Sequence, residues 1–176
     1  MILVFDSSPL IYFSRSGALQ LALELSAENY ITPIVYDEVV TLGRAQGYPD
    51  AEVTYLVINE GLLTVRTPKE KSTERFKGLH RGLHAGEMEV LALADDLNGI
   101  AILDDRIGRE IGEMFQVKVR GSGFILFALV KKRIISKEKA KLIIRDMIRE
   151  GFRIGALQYG LVLDLLEQIK DQKEDV

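Results

Sequence analysis

Short stretches that are apolar at every position recur along this chain, and each is closed by a turn former. Residues 2–5 (Ile2-Leu3-Val4-Phe5) and 100–103 have this character, and 30–31, 62–65 (with Thr64) and 117–119 (with Lys118) read as further strands. Unbroken apolar runs of this length predict strands buried on both faces, as in a parallel sheet. Between them the apolar period lengthens to that of a helix. Ile34, Val35, Val39 and Leu42 form one stripe, and Val90, Leu91, Ala94 and Leu97 another. Helices are also expected over 10–13, 19–25, 49–60, 106–114, 124–130, 136–149 and 157–169, with a charged tail that frays. Ser8-Pro9 and Thr32-Pro33 each read as a helix cap followed by a proline in the first turn.

Strands alternating with helices predict an α/β fold. It is a three-layer α/β/α sandwich around a mainly parallel sheet of roughly five strands, joined by right-handed crossovers. The reading is a single domain over 1–176, with a core at 1–130 and a C-terminal helical extension at 131–176.

In a parallel sheet the carboxyl ends share one edge, where open α/β folds bind ligands. The first strand ends in Asp6 and the fourth in Asp104-Asp105, so these meet if the two strands are neighbours. Asp105 is favoured over Asp104 because it also opens the next helix. Helical phase adds Glu38, on the stripe of Ile34, Val35 and Leu42, and Glu87, three and four residues before Val90 and Leu91. Asp37 and Glu89 turn away from those faces. Taken singly, each carboxylate is equally a turn residue, a helix cap or a rim residue. Taken together they would repel without a countercharge. A divalent cation supplies it, and an oxygen-only donor set suits Mg²⁺ or Mn²⁺.

Composition narrows the setting. The chain has 176 residues, 47% of them hydrophobic, with no cysteine and a net charge of -3. Disulfides and thiolate metal sites are excluded, and a reducing cytoplasm is expected; the Lys/Glu/Arg-rich surface also fits a thermophile. No apolar run reaches membrane-spanning length, and the apolar N-terminus lacks the features of a signal peptide. The acidic balance gives no global footprint for nucleic acid, so a polyanion needs a local basic patch or bridging metal.

Other features weigh less. The basic stretch 69–81, with Lys69, Lys71, Arg75, Lys77 and Arg81, reads as a solvated face or as a clamp on a substrate backbone. His80 and His84 are spaced for a helix-borne metal pair but lack the flanking glutamate pattern. Gly121-Ser122-Gly123 is not a phosphate-binding P-loop, because no Gly-Lys-Ser/Thr follows. Ser122 is either an ordinary cap or a hydroxyl for a phosphate oxygen.

Four segments in this order resemble the PIN domain, the nuclease fold of VapC-type toxins and related metal-dependent ribonucleases. They are Asp6-Ser7-Ser8 after the first strand, Glu38 within Val-Tyr-Asp-Glu-Val, Gly86-Glu87-Met88-Glu89 opening a helix, and Leu103-Asp104-Asp105-Arg106 after the fourth strand. The resemblance runs over 1–130 and the trailing helices fit it. It implies phosphodiester hydrolysis of RNA, single-stranded by preference, by Mg²⁺- or Mn²⁺-activated water. Asp6, Glu38, Glu87 and Asp105 would be the catalytic carboxylates, with Asp6, Glu87, Asp104 and Asp105 as metal ligands. Ser7, Arg106 and Ser122 would contact substrate. A small antitoxin partner and a homodimer also follow from the resemblance. The chain departs from the family in two places: Glu87 stands where Asp is common, and Leu103 where a hydroxyl is common.

Two other carboxylate-rich α/β folds fit poorly. A response-regulator receiver needs its acidic pair after the first strand, and a haloacid dehalogenase-like phosphatase needs Asp-x-Asp there; Asp6-Ser7-Ser8 provides neither. The alternative of another class is a PIN-like module that binds metal or nucleic acid without turnover.

Overall fold

The structure, a computed structural model, describes residues 1–76 and 82–169. Strand β1 (Ile2–Phe5) leads into α1 (Ser7–Arg15) and α2 (Leu19–Glu24), and β2 (Glu28–Ile31) into α3 (Pro33–Tyr36). The α3 helix continues as a π-helical segment (Asp37–Leu42) and a last turn, α4 (Gly43–Ala45). Next come α5 (Pro49–Asn59), β3 (Thr64–Val65), α6 (Glu70–Phe76), α7 (Ala85–Asp96) and β4 (Ile100–Ile102). The chain closes with α8 (Arg106–Met114), β5 (Lys118–Arg120), α9 (Ser122–Lys131), α10 (Lys137–Arg149) and α11 (Ala156–Gln168).

The five strands form one parallel sheet in the order β3-β2-β1-β4-β5. The chain builds outward from β1 in one direction through β2 and β3. It then returns and builds the other way through β4 and β5. Right-handed crossovers therefore put α1 to α5 on one face and α6 to α8 on the other. The packing agrees: α1 meets α5 and α10, α9 meets α10 and α11, while α7 meets α6 and α8. Reversal between β1 and β4 opens a crevice at their carboxyl ends, the switch point of a doubly wound sheet. Phe5 pairs with Ile102, so Asp6 and the Asp104-Asp105 pair leave the sheet side by side.

The β1 residues Leu3, Val4 and Phe5 are fully buried, as are Ile102 and Leu103 at the end of β4. Each such side chain contributes roughly 1.5–3 kcal/mol of burial free energy, which makes this strand pair a rigid base. Thr32 caps α3 as expected, its hydroxyl oxygen accepting from the Val35 N–H at 3.3 Å. Among the described residues no helix is long and apolar enough to cross a membrane.

Several local expectations are corrected. Helix α1 begins at Ser7 with Asp6 as its cap residue, so Pro9 lies inside the first turn and Ser8 is not the cap. The third strand shrinks to Thr64–Val65, since Leu62 and Leu63 complete the turn out of α5. Leu42 leaves its stripe and is exposed, because the wider π-helical turn over 37–42 shifts the phase of the helix face. The same shift turns Glu38 into an exposed position rather than a buried one. The 69–81 stretch forms α6 over Glu70–Phe76. Lys77, His80, Arg81 and the charged tail beyond residue 169 lie outside the described residues.

Candidate active site

Asp6 sits between the last residue of β1 and the first of α1, and its backbone N–H donates to the Ile102 carbonyl at 3.1 Å. That bond ties the residue to β4 and leaves its carboxyl in the crevice, only 9% exposed. Burial is the main reason its pKa rises from 3.8 to about 7. The Ser7 and Ser8 backbone amides oppose the rise, while the charges of Glu87 and Glu38 reinforce it.

Two further carboxylates, Glu38 and Glu87, reach the crevice from separate elements, and a third, Asp105, acts on Glu87 through its charge. Glu38 arrives from the π-helical segment and accepts the Ser7 hydroxyl. Gly86 of α7 lies against it, its Cβ position 3.4 Å from Glu38 Oε1. Glu87, on the first turn of α7, accepts the His84 backbone N–H at 2.8 Å. Its pKa is raised chiefly by burial and further by the charges of Asp105 and Glu38, against the His84 amide and imidazole. Asp105 caps α8, with Oδ2 accepting the Gly108 N–H at 2.8 Å. A cleft of about 290 Å³ opens over Asp6, Glu38 and Glu87, lined also by Ser7, Tyr12 and His84.

Asp104 follows a different course. Its Oδ1 accepts the Ser122 N–H at 2.8 Å and its Oδ2 the Ser122 hydroxyl at 2.7 Å. Gly121 permits this approach, since a Cβ there would lie 2.9 Å from Oδ1. Burial raises the Asp104 pKa, offset by both Ser122 donors and by the Arg109 charge. Ser122 is itself buried, and as the first residue of α9 it leaves the cap position to Gly121. Adjacent carboxylates thus divide: the Asp105 charge acts on Glu87, and Asp104 fastens α9 to the end of β4. The strand has ended at Ile102, so Asp104 lies in the link beside α9 while Asp105 is already the cap residue of α8. Arg106 points outward and pairs with Glu110 at 3.4 Å, one helical turn on.

The donor set is all oxygen and short of countercharge, which fits a hard divalent cation. As placed, no three His, Cys, Asp or Glu side chains among the described residues converge within joint coordinating reach. Glu38, Glu87 and Asp105 each hold a local donor instead, at Ser7, His84 and Gly108.

Tyr12 and His84 reach this cleft without having been singled out for it. Tyr12 lies on α1 one turn beyond Ser8, and an i, i+4 spacing puts both on the face that lines the cleft. His84 had been weighed only as half of a histidine pair, and its partner His80 lies outside the described residues.

A model of PIN-domain sequences matches residues 2–168, nearly the whole chain, and runs through every element described. The chain belongs to the PIN-domain family. Among curated proteins no significant match is found. PIN domains are nuclease-type folds that bind nucleic acid and typically use divalent metals. In this PIN domain Asp6, Glu38 and Glu87 line one cleft and interact electrostatically, and the Asp105 charge acts on Glu87.

Proposed function

We propose that this PIN domain is a Mg²⁺- or Mn²⁺-dependent endoribonuclease acting on single-stranded RNA. One observation carries the reading. Asp6 is a buried carboxyl at the sheet's switch point with its pKa pushed up to about 7, and the charges of Glu87 and Glu38 add to that rise. A protein gathers such repelling groups at a ligand-binding edge when a cation is to be held there.

Asp6, Glu87 and Asp105 are the proposed metal ligands, with Glu38 completing the site or orienting a water. A divalent cation bound there supplies countercharge, phosphate polarisation and activation of water. The chain does the positioning. The Asp6 N–H bond to Ile102 fixes the central carboxylate, and the Ser7 hydroxyl holds Glu38 toward it. The N-terminus of α1 directs its dipole at the same crevice and favours a phosphate. Asp104 and Ser122 act on the geometry at one remove, by fixing where α9 leaves the sheet. Cytoplasmic toxin activity, held by a small antitoxin and exerted as a homodimer, enters the proposal with the family resemblance as its support.

The test is cleavage of labelled single-stranded RNA with Mg²⁺, Mn²⁺ or a chelator, together with melting of the protein on addition of Mn²⁺. Turnover with either metal and none in chelator is expected. Mn²⁺ should also raise the melting temperature of wild type and not of Asp6→Asn. A second reading, a binding module without turnover, is favoured by the lack of three converging ligands among the described residues. Metal-dependent stabilisation with no cleavage would select it.

A further inference from the structure

A larger groove of about 670 Å³ lies beside the acidic crevice, between the N-terminal end of α8, the end of β5, α9 and α11. Its size falls within the range of about 300–1,000 Å³ common for ligand sites. Four arginines line it, Arg106, Arg109, Arg120 and Arg153, against two carboxylates, Asp104 and Asp105. Both carboxylates are already bound to N–H or O–H donors of the chain. In a chain of net charge -3 this is a strong local reversal of sign.

Apolar surface accompanies the arginines. The half-buried rings of Phe124 and Phe127 border the groove, and the Arg120 guanidinium lies 5.8 Å from the Phe124 ring centre. From the far wall, α11 presents Leu161 and Leu165, both partly exposed. Arg153 is exposed and has no ion-pair partner among the described residues. Arg120 gives one N–H to the Val119 carbonyl at 2.7 Å and makes no ion pair among the described residues, so flat apolar faces lie beside two guanidinium groups, those of Arg120 and Arg153, with donors to spare. That arrangement matches the alternation of base and phosphate along an unpaired strand. Bases of a duplex are stacked inward and do not reach such a floor. The groove also joins the chemistry: Asp105 lines it and interacts electrostatically with Glu87 in the crevice.

We infer that this groove holds the nucleotides of single-stranded RNA that flank the scissile bond. Arg120 and Arg153 take phosphates, and Phe124 stacks on a base. The assignment rests on the proposed ribonuclease reading for its substrate, and names where that substrate lies.

Binding of a short fluorescein-labelled single-stranded RNA, read by anisotropy in EDTA across a salt series, tests it without relying on cleavage. The Arg120→Ala/Arg153→Ala pair should weaken binding by about tenfold and lower the log–log salt slope by about 1.4, two phosphates at about 0.7 each. Phe124→Ala should weaken it by about fivefold or more with the salt slope kept. Circular dichroism melting of each variant establishes that it is folded, and Arg153→Ala alone, at an exposed position, repeats the salt test with the least disturbance. Unchanged affinity and slope in the folded arginine variants would overturn the inference, as would equal binding of duplex RNA. A change of oligomeric state in those variants would also overturn it, by marking the groove as a protein interface. Cleavage by wild type with binding unaffected by the variants removes the groove and keeps the ribonuclease. Groove-dependent binding without any cleavage does the reverse.

Discussion

Ser122 donates both its backbone N–H and its hydroxyl to the two oxygens of Asp104, at 2.8 and 2.7 Å. The pair joins the end of β4 to the start of α9, and it separates Asp104 from its neighbour Asp105. A strand-end Asp-Asp is thereby given two tasks, one toward the acidic crevice and one in holding the helix that borders the groove.

Removing the hydroxyl isolates half of that bond. Ser122→Ala leaves a buried carboxylate oxygen without its donor and should cost about 1–3 kcal/mol. Burial already raises the Asp104 pKa, so losing a stabilising donor raises it further. The cost should be largest where Asp104 is ionised and should shrink as the pH falls and the carboxyl protonates. Urea denaturation of the variant and wild type at about pH 8 and about pH 5 checks both magnitude and direction.

Asp6 sets a second pH dependence. Its folded pKa of about 7 lies above the ordinary 3.8, so the fold binds this proton more tightly than the unfolded chain does. The resulting stability is fully present below about pH 3.8 and is lost as the pH rises to about 7. In chelator, Asp6→Asn removes the charge that burial penalises. It should be more stable than wild type above about pH 7 by a few kcal/mol, on the order of three pKa units. The advantage should fade toward acid. Melting curves across pH report it, and a variant that is less stable at every pH would refute the electrostatic reading of this carboxylate.

Thr32 positions Glu38 at one remove, through the cap of α3. Thr32→Val keeps the shape but leaves the Val35 N–H without its acceptor in a fully buried setting. A loss of about 1–2 kcal/mol in chemical denaturation is expected.

Gly123 allows α9 and α11 to touch. A Cβ added there would come within 2.6 Å of Val162 Cγ2. Gly123→Ala should destabilise by about 1–3 kcal/mol, and Val162→Ala added to it should restore part of the loss. A double-mutant cycle in urea measures that coupling.

Much of this was legible in the chain itself because it rests on local rules. The apolar run Ile2–Phe5 and its neighbour Ile100–Ile102 were readable as buried parallel strands, and their carboxyl ends followed from topology. Glu87 was legible from helical phase, since α7 is regular through that point. Glu38 was found with a faulty reason. The stripe that selected it assumes one turn geometry, and the π-helical segment changes it, exposing both Glu38 and Leu42. The bond between Asp104 and Ser122 was not legible, because it joins residues 18 apart through a sheet-to-helix crossing. Arg109, Arg120 and Arg153 come from three separate segments. No one-dimensional charge run shows that they share a groove.

The rate of single-stranded RNA cleavage in Mn²⁺, compared between wild type and Asp6→Asn purified side by side, bears on the proposed chemistry with the fewest intermediates. Wild type should cut in Mn²⁺ and stop in chelator, and Asp6→Asn should fall by more than about 100-fold while remaining folded and still binding the RNA. Equal cleavage by the two proteins would contradict a reaction centred on Asp6.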